Sequence, residues 1–334
     1  MTRRHRELPG GAVVVIGASS GIGRATAHAL AAQGRPLVLA SRSLETLEAV
    51  AVECRAVATS AGVGRPIVSV ARVDVTDRDA VDALMTLARS RHPRVDAVVS
   101  TVAVVAYGRF DVVPAEAFDQ VMNVNLLGAA NVARSALRLF ADQGGGRLVV
   151  VGSLLGRIAT PWMSTYVTSK WAVHGLARTL QIEARRMPGV DVSLISPGGV
   201  DTPIYSQAAS YGGRNGRPPP PVSRPEAVAR AVVRAVDRPR RFTSVGPTNP
   251  LTEAGFRYLP GVYDRLVTPL MSVAGLSPRH VEPHPGNLWE PTPAGEAMHG
   301  RWGRHWLRGV GAAAVLGGAV VVRGLVAQRR DPRS

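Results

Sequence analysis

Residues 12–16 read Ala-Val-Val-Val-Ile, an unbroken apolar run that stops at Gly17. A short run of β-branched residues closed by glycine predicts a strand buried on both faces. Similar runs return at residues 36–40, 67–73, 95–100, 148–151, 190–196 and 242–245. Between them lie longer stretches with the mixed apolar and polar pattern of helices, over residues 24–33, 44–61, 78–91, 114–141, 166–187 and 224–236. Thr76 or Asp77 can cap the helix at 78, and Ser223 the helix at 224. Pro114 suits a first helical turn. Strands alternating with helices predict a doubly wound parallel α/β sheet of about seven strands with helices on both faces. Residues 251–275 look helical but broken by Pro260 and Pro269, a C-terminal helical extension.

The same pattern divides the chain. Residues 1–10 form a basic tail and residues 11–280 a Rossmann-type domain. Within that domain residues 197–222, rich in Gly and Pro, have the composition of a segment covering a substrate. Residues 281–300 read as a Pro-rich linker, and residues 301–334 as a hydrophobic, Arg-flanked segment.

Composition narrows the picture only modestly. The chain has 334 residues, 46% of them hydrophobic, which suits a packed globular protein. The formal net charge of +16 could serve nucleic acid or an anionic membrane. The arginines are scattered, however, and no zinc spacing or RNA-binding aromatic signature accompanies them, so nucleic acid is not expected. One cysteine, Cys54, excludes an intrachain disulfide and suits a reducing compartment. No secretory signal is expected at the N-terminus, and the expected location is the cytoplasm.

Candidate chemistry concentrates in three places. The first strand runs into Gly17-Ala18-Ser19-Ser20-Gly21-Ile22-Gly23 and then a helix. Glycines in that context let the backbone approach a pyrophosphate at a helix N-terminus. After the second strand stand Ala40 and Ser41, where an acidic residue would hold the ribose 2′-hydroxyl of NAD, and then Arg42. An arginine there accommodates a 2′-phosphate, which favours NADP(H); the alternative is a surface arginine heading the next helix. Lastly, Tyr166 and Lys170 sit four residues apart, on one helix face. Lys170 is the single lysine among 40 basic residues. A cation beside a tyrosine lowers its pKa toward the range useful for acid–base work. Ser153 follows the fifth strand, so it shares the carboxyl edge of the sheet with the glycine turn.

Together these residues resemble the short-chain dehydrogenase/reductase family. The motifs are Gly17-x-x-x-Gly21-Ile22-Gly23, Asp74-Val75, Asn123-Val-Asn125, Ser153, Tyr166-x-x-x-Lys170 and Pro197-Gly198-x-x-x-Thr202, in the family's order. The resemblance implies a catalytic set of Ser153, Tyr166, Lys170 and Asn125. In it Tyr166 is the general acid/base, Lys170 lowers its pKa and holds the nicotinamide ribose, and Ser153 orients the substrate oxygen. Asn125 would support a water linking Lys170 to solvent. It also implies cofactor contacts from Gly17, Ser19, Ser20, Gly21, Ile22, Gly23, Arg42, Asp74, Val75, Tyr166, Lys170, Pro197, Gly198, Val200 and Thr202. Two departures stand out. Ser100-Thr101-Val102-Ala103 replaces the family's Asn-Asn-Ala-Gly, and Ile16 replaces the usual Thr. Altered geometry is expected there rather than lost binding.

The expected activity is interconversion of a carbonyl and an alcohol by an NADP(H)-dependent oxidoreductase. The alternative is a catalytically silent NADPH-binding scaffold or sensor. A small-molecule substrate and a homodimer or homotetramer are implied by the resemblance. Residues 309–322 carry no charge, and Trp302 and Trp306 precede them. Residues 306–328 therefore offer a possible membrane contact, with packing on protein as the alternative. Leu259, Val262, Tyr263, Leu266 and Met271 could form an apolar substrate wall or simply core.

Overall fold

The alternating pattern becomes alternating packing. In the computed structural model, which describes residues 10–64 and 66–303, β1 (Ala12–Ile16) is completely buried. Val14 and Ile16 face one apolar layer, while Val13 and Val15 face another. That is the two-residue period of a strand covered on both sides.

The chain continues through α1 (Gly21–Ala31), β2 (Leu37–Ser41), α2 (Leu44–Ser60), β3 (Val68–Arg72), α3 (Arg78–Arg91) and β4 (Val95–Ser100). Next come the short β5 (Ala106–Tyr107), α4 (Ala115–Met122) and α5 (Gly128–Asp142). β6 (Gly146–Val151), α6 (Ser164–Glu183) and β7 (Val190–Pro197) follow. The segment after β7 carries α7 (Ile204–Gln207), β8 (Ala209–Ser210) and β9 (Arg214–Gly216). The remainder is α8 (Pro225–Asp237), β10 (Phe242–Val245), α9 (Asn249–Tyr258), α10 (Pro260–Leu270) and β11 (Leu276–His280).

The main sheet has seven parallel strands in the order β10-β7-β6-β4-β1-β2-β3. The direction of winding reverses between β1 and β4. Connections on either side of that point leave toward opposite faces and open a crevice at the carboxyl ends of the strands. Layer one buries Val81 of α3, Val121 of α4, Val132 of α5 and Val173 of α6. Layer two buries Leu30 of α1, Leu47 of α2 and Val228 of α8.

Local chemistry explains most boundaries. Asp77 caps α3 by accepting from the backbone N–H groups of Asp79 (2.9 Å) and Ala80 (3.1 Å). Ser223 does not cap α8. Arg224 holds the N-cap position, Pro225 opens the helix, and Ser223 bridges to Val200. The backbone requirement of that bridge takes Ser223 away from the helix end. The helix expected over residues 114–141 holds, with one widened π-turn at Asn123–Leu127 between α4 and α5.

Residues 281–300 contribute Leu288 to the core and Asn287 and Glu296 to the cleft. Leu288 is fully buried against the first layer, and the chain then crosses the carboxyl edge of the sheet. Among the described residues no helix is long and apolar enough to cross a membrane. The membrane contact considered for residues 306–328, and most of the basic tail at residues 1–10, lie outside the described residues.

Candidate active site

The glycine turn is built by close approach. Gly17 has φ 84° and Gly21 φ 50°, both in the left-handed region that favours glycine. A Cβ at Gly23 would stand 2.0 Å from the Gly17 carbonyl oxygen, so α1 leaves the turn with no room for a methyl. α1 carries no acidic residue in its first turn, which leaves its positive end receptive to anions.

The Ser100–Ala103 departure has a physical resolution. The Thr101 hydroxyl donates to the Ile16 carbonyl (2.9 Å) and lies 3.3 Å from that of Gly17. It therefore ties the end of β4 to the end of β1 and to the turn itself. Thr101, Val102 and Ala103 line the cleft that opens here.

That cleft gathers Gly17, Ser19, Ser20, Gly21, Ile22, Gly23, Arg42, Asp74, Val75 and Thr202. These are ten of the residues expected from the sequence. Asp74 is shaped by a local turn, its Oδ1 accepting from the Thr76 N–H (2.9 Å) and hydroxyl (2.7 Å). The Val75 carbonyl is held by Asn131 on α5 (3.0 Å). Pro197, Gly198 and Val200 do not line this cleft: Gly198 donates to the Val245 carbonyl (2.9 Å), and Val200 packs in the second apolar layer. Tyr166 and Lys170 also lie outside its lining, beside Ser153.

Ser153, Tyr166 and Lys170 form a buried group at the end of β6. The Ser153 side chain lies beside the Tyr166 phenol and acts to lower its pKa. Its Oγ also accepts from the Leu155 N–H (3.1 Å), which holds the turn after β6. Lys170 is 2% exposed, donates to the Val151 carbonyl (3.3 Å) and has its Nζ 5.4 Å from the centre of the Tyr166 ring. Asn125 sits in the π-turn. Its Oδ1 accepts from the Val104 N–H (2.8 Å), while its Nδ2 donates to the Val104 carbonyl (3.0 Å) and to Ser169 (3.0 Å). Ser169 precedes Lys170, so Asn125 links the loop after β4 to the helix that carries Tyr166 and Lys170.

Burial controls the ionisation of this group. Desolvation pushes Tyr166 up to about 12, opposed by the Ser153 hydrogen bond. The lowering expected from Lys170 is not seen: loss of water sets the direction of the shift. Desolvation pushes Lys170 down to about 8. The phenol is therefore a proton donor at neutral pH, with the ammonium as the group nearer its titration point. His174, one turn beyond Lys170, is driven down to about 4 by burial and by the charges of Lys170 and Arg157. Its neutral ring lies behind Ser153, with Nε2 accepting from the Ser153 N–H at 3.5 Å.

These pKa shifts predict a pH limb. On the expectation that Tyr166 is the general acid, protonation of a product oxygen needs its hydroxyl, and a charged Lys170 favours release of that proton. Rising pH removes the Lys170 proton first. We expect kcat/KM for carbonyl reduction to fall once pH passes about 8. Initial rates across pH check this, and a profile level to roughly pH 10 would contradict it.

Beside Tyr166 the walls are apolar. Tyr107, Met163, Ala208, Met271 and Leu276 are buried with it, and Trp162, Tyr205 and Ile204 pack around them. Burial raises the pKa values of Tyr107 and Tyr205, which keeps both phenols neutral. Trp162 has φ 64°, a strained value for a bulky residue, next to this wall. Met271 thus joins the wall, whereas Leu259, which precedes α10, and Val262 and Leu266 on it are exposed.

Several cleft residues had no signal in the sequence. Residues 287–303 bring Asn287 and Glu296 into the lining. Arg42 donates to the carbonyls of Asn287 (2.9 Å), Trp289 (2.9 Å) and Leu288 (3.5 Å). Glu296 Oε1 accepts from Ser19 (3.0 Å) and Ser43 (2.9 Å), and the Ala297 carbonyl accepts from the Gly21 N–H (2.9 Å).

A seven-stranded parallel sheet with a glycine turn at its switch point defines a Rossmann-type nucleotide-binding protein. Residues 11–211 match the family model described as short chain dehydrogenase. The chain therefore belongs to the short-chain dehydrogenase family and is an oxidoreductase of that family. It is 30% identical over 334 residues to "Uncharacterized oxidoreductase YxnA" of Bacillus subtilis (strain 168), covering 96% of this chain and 90% of that protein. It is also 32% identical to "Probable oxidoreductase EphD" of Mycobacterium tuberculosis (strain ATCC 25618 / H37Rv), over 70% of this chain and 41% of EphD.

Among solved structures, it resembles an alcohol dehydrogenase from the archaeon Thermococcus sibiricus complexed with 5-hydroxy-NADP. The TM-score is 0.60 and the identity 29%, over 70% of this chain and 95% of that one. A short chain dehydrogenase/reductase from Burkholderia phymatum in complex with NAD has a TM-score of 0.66 and 26% identity, over 78% and 98%.

Proposed function

We propose that this protein is an NADP(H)-dependent oxidoreductase that interconverts a lipophilic ketone or aldehyde with its alcohol. The observation that carries the reading is the buried Ser153–Tyr166–Lys170 group at the carboxyl edge of the same sheet as the glycine cleft. The cleft suits a dinucleotide: a methyl at Gly23 would fill the space between turn and helix, and α1 presents an uncompensated N-terminus.

When bound, the nicotinamide supplies a hydride to the carbonyl carbon. The residues of the chain do the rest. Ser153 offers its hydroxyl to the carbonyl oxygen, and Tyr166 gives its phenolic proton to that oxygen as negative charge develops there. Lys170 is a positive charge in a site with little water, where it stabilises the phenolate left behind. Asn125 holds α6 in register with the loop after β4. Apolar side chains around Tyr166 favour a lipophilic substrate and exclude water.

Preference for NADP(H) rests on Arg42 in the cleft lining and on the lack of an acidic residue at the end of β2. Replacing Arg42 with Ala is expected to weaken NADPH by about tenfold or more and NADH by less than about threefold. Fluorescence titration of both cofactors checks this, and equal losses would refute the preference. NADPH oxidation across a panel of apolar ketones and aldehydes tests the reaction class. Tight NADPH binding with no oxidation of any of them would leave a cofactor-binding scaffold.

A further inference from the structure

The adenosine end of the cleft is already engaged by the chain itself. Three kinds of group there suit an anion: the hydroxyls of Ser19 and Ser43, the guanidinium of Arg42, and the Gly21 N–H at the start of α1. All three are taken by one segment, residues 287–297. A serine hydroxyl has one proton to donate, and both of these go to Glu296 Oε1. Arg42 directs three N–H donors to main-chain carbonyls of the segment.

The segment is anchored at both ends, and between them Gln207 donates to the Thr292 carbonyl (3.3 Å). On one side Leu288 is buried, and its carbonyl accepts from Gln120 (3.0 Å). On the other, Asp201 accepts from the N–H groups of Gly300 (3.1 Å), Trp302 (3.0 Å) and Gly303 (3.1 Å). Thr292, Pro293 and Ala294 in the middle are exposed. The docked middle is also imperfectly satisfied, since Glu296 Oε2 is buried without a hydrogen-bond partner. Such an atom loses its water and gains nothing in return.

We propose that residues 287–297 act as an internal competitor for the cofactor's 2′-phosphate, with the Glu296 carboxylate standing in for that phosphate. The inference rests on the NADP(H) reading of the cleft. Two anions cannot share the same two hydroxyls, so a bound 2′-phosphate displaces Glu296 and draws Arg42 away from the strap carbonyls. A cofactor without that phosphate leaves Glu296 in place. Glu296 is thus a specificity-determining residue, one that holds down affinity for the phosphorylated cofactor.

The test compares wild type with Glu296→Gln, which keeps the side chain's shape and removes its charge. Binding of NADPH, NADH, 2′,5′-ADP and 5′-AMP is measured by calorimetry. The variant is expected to bind NADPH and 2′,5′-ADP about tenfold more tightly and NADH and 5′-AMP within about twofold of wild type. In the wild type, NADPH should speed amide hydrogen exchange in residues 290–297 while leaving residues 300–303 protected.

Unchanged or weaker NADPH binding in the variant, or slower exchange in residues 290–297 on adding NADPH, would overturn the competitor. Loss of NADH binding in the variant would overturn it too and make Glu296 a ribose acceptor. If neither protein prefers 2′,5′-ADP to 5′-AMP, the NADP(H) reading itself falls, and the inference with it.

Discussion

Replacing Tyr166 with Phe should lower kcat for carbonyl reduction by on the order of a thousandfold while changing NADPH affinity by less than about threefold. The ring stays, so the packing against Met163 and Leu276 stays, and Lys170 keeps its aromatic neighbour at 5.4 Å. What disappears is the hydroxyl beside Ser153. Tyr107 and Tyr205 lie in the same apolar cluster, and burial raises their pKa values as it raises that of Tyr166, so what sets Tyr166 apart is its place beside Ser153 and Lys170. Steady-state kinetics with cofactor titration separates the two effects. A variant that keeps more than about a tenth of wild-type turnover would remove Tyr166 from the proton-transfer step.

Replacing Gly23 with Ala should cost at least about 3 kcal/mol of stability and weaken NADPH by on the order of a hundredfold. The new Cβ would lie 2.0 Å from the Gly17 carbonyl oxygen and 2.7 Å from Thr101 Oγ1. Neither neighbour can yield cheaply. The Gly17 oxygen is main chain, and Thr101 is the tie between β4 and the turn. Relief must come from moving α1 outward, which shifts the N–H groups meant for phosphate. Thermal unfolding and fluorescence titration report the two parts. An unchanged melting temperature together with normal NADPH binding would show that the turn has slack it is not credited with here.

The sheet was legible because its strands are buried on both faces. Val13 through Ile16 read as a strand without any partner being known, and of the two caps expected for α3, Thr76 or Asp77, it is Asp77 that caps it. The glycine turn and the Tyr166–Lys170 spacing were equally readable, since both depend on residues close together in sequence.

Effects that depend on distant chain or on burial were not readable. The Ser223 cap failed because that residue serves the bridge to Val200. Tyr166 was expected to have a lowered pKa from its lysine, whereas the surroundings that bury both groups push them in opposite directions. Glu296 reaches Ser19 across 277 positions of sequence, with no motif to mark it. Its segment looked like a linker because prolines and polar residues describe both a loose connection and a strap lying on a surface.

In the proposed reaction, hydride reaches a carbonyl carbon at the Ser153–Tyr166–Lys170 group. The most direct measurement supplies NADPH carrying deuterium at the transferable C4 position, with the panel of apolar ketones and aldehydes, and reads the alcohol by mass spectrometry. The wild type is expected to give alcohol with one deuterium on the carbinol carbon, and Tyr166→Phe almost no labelled alcohol. An alcohol formed without deuterium, or labelled equally by both proteins, would contradict the proposed reaction.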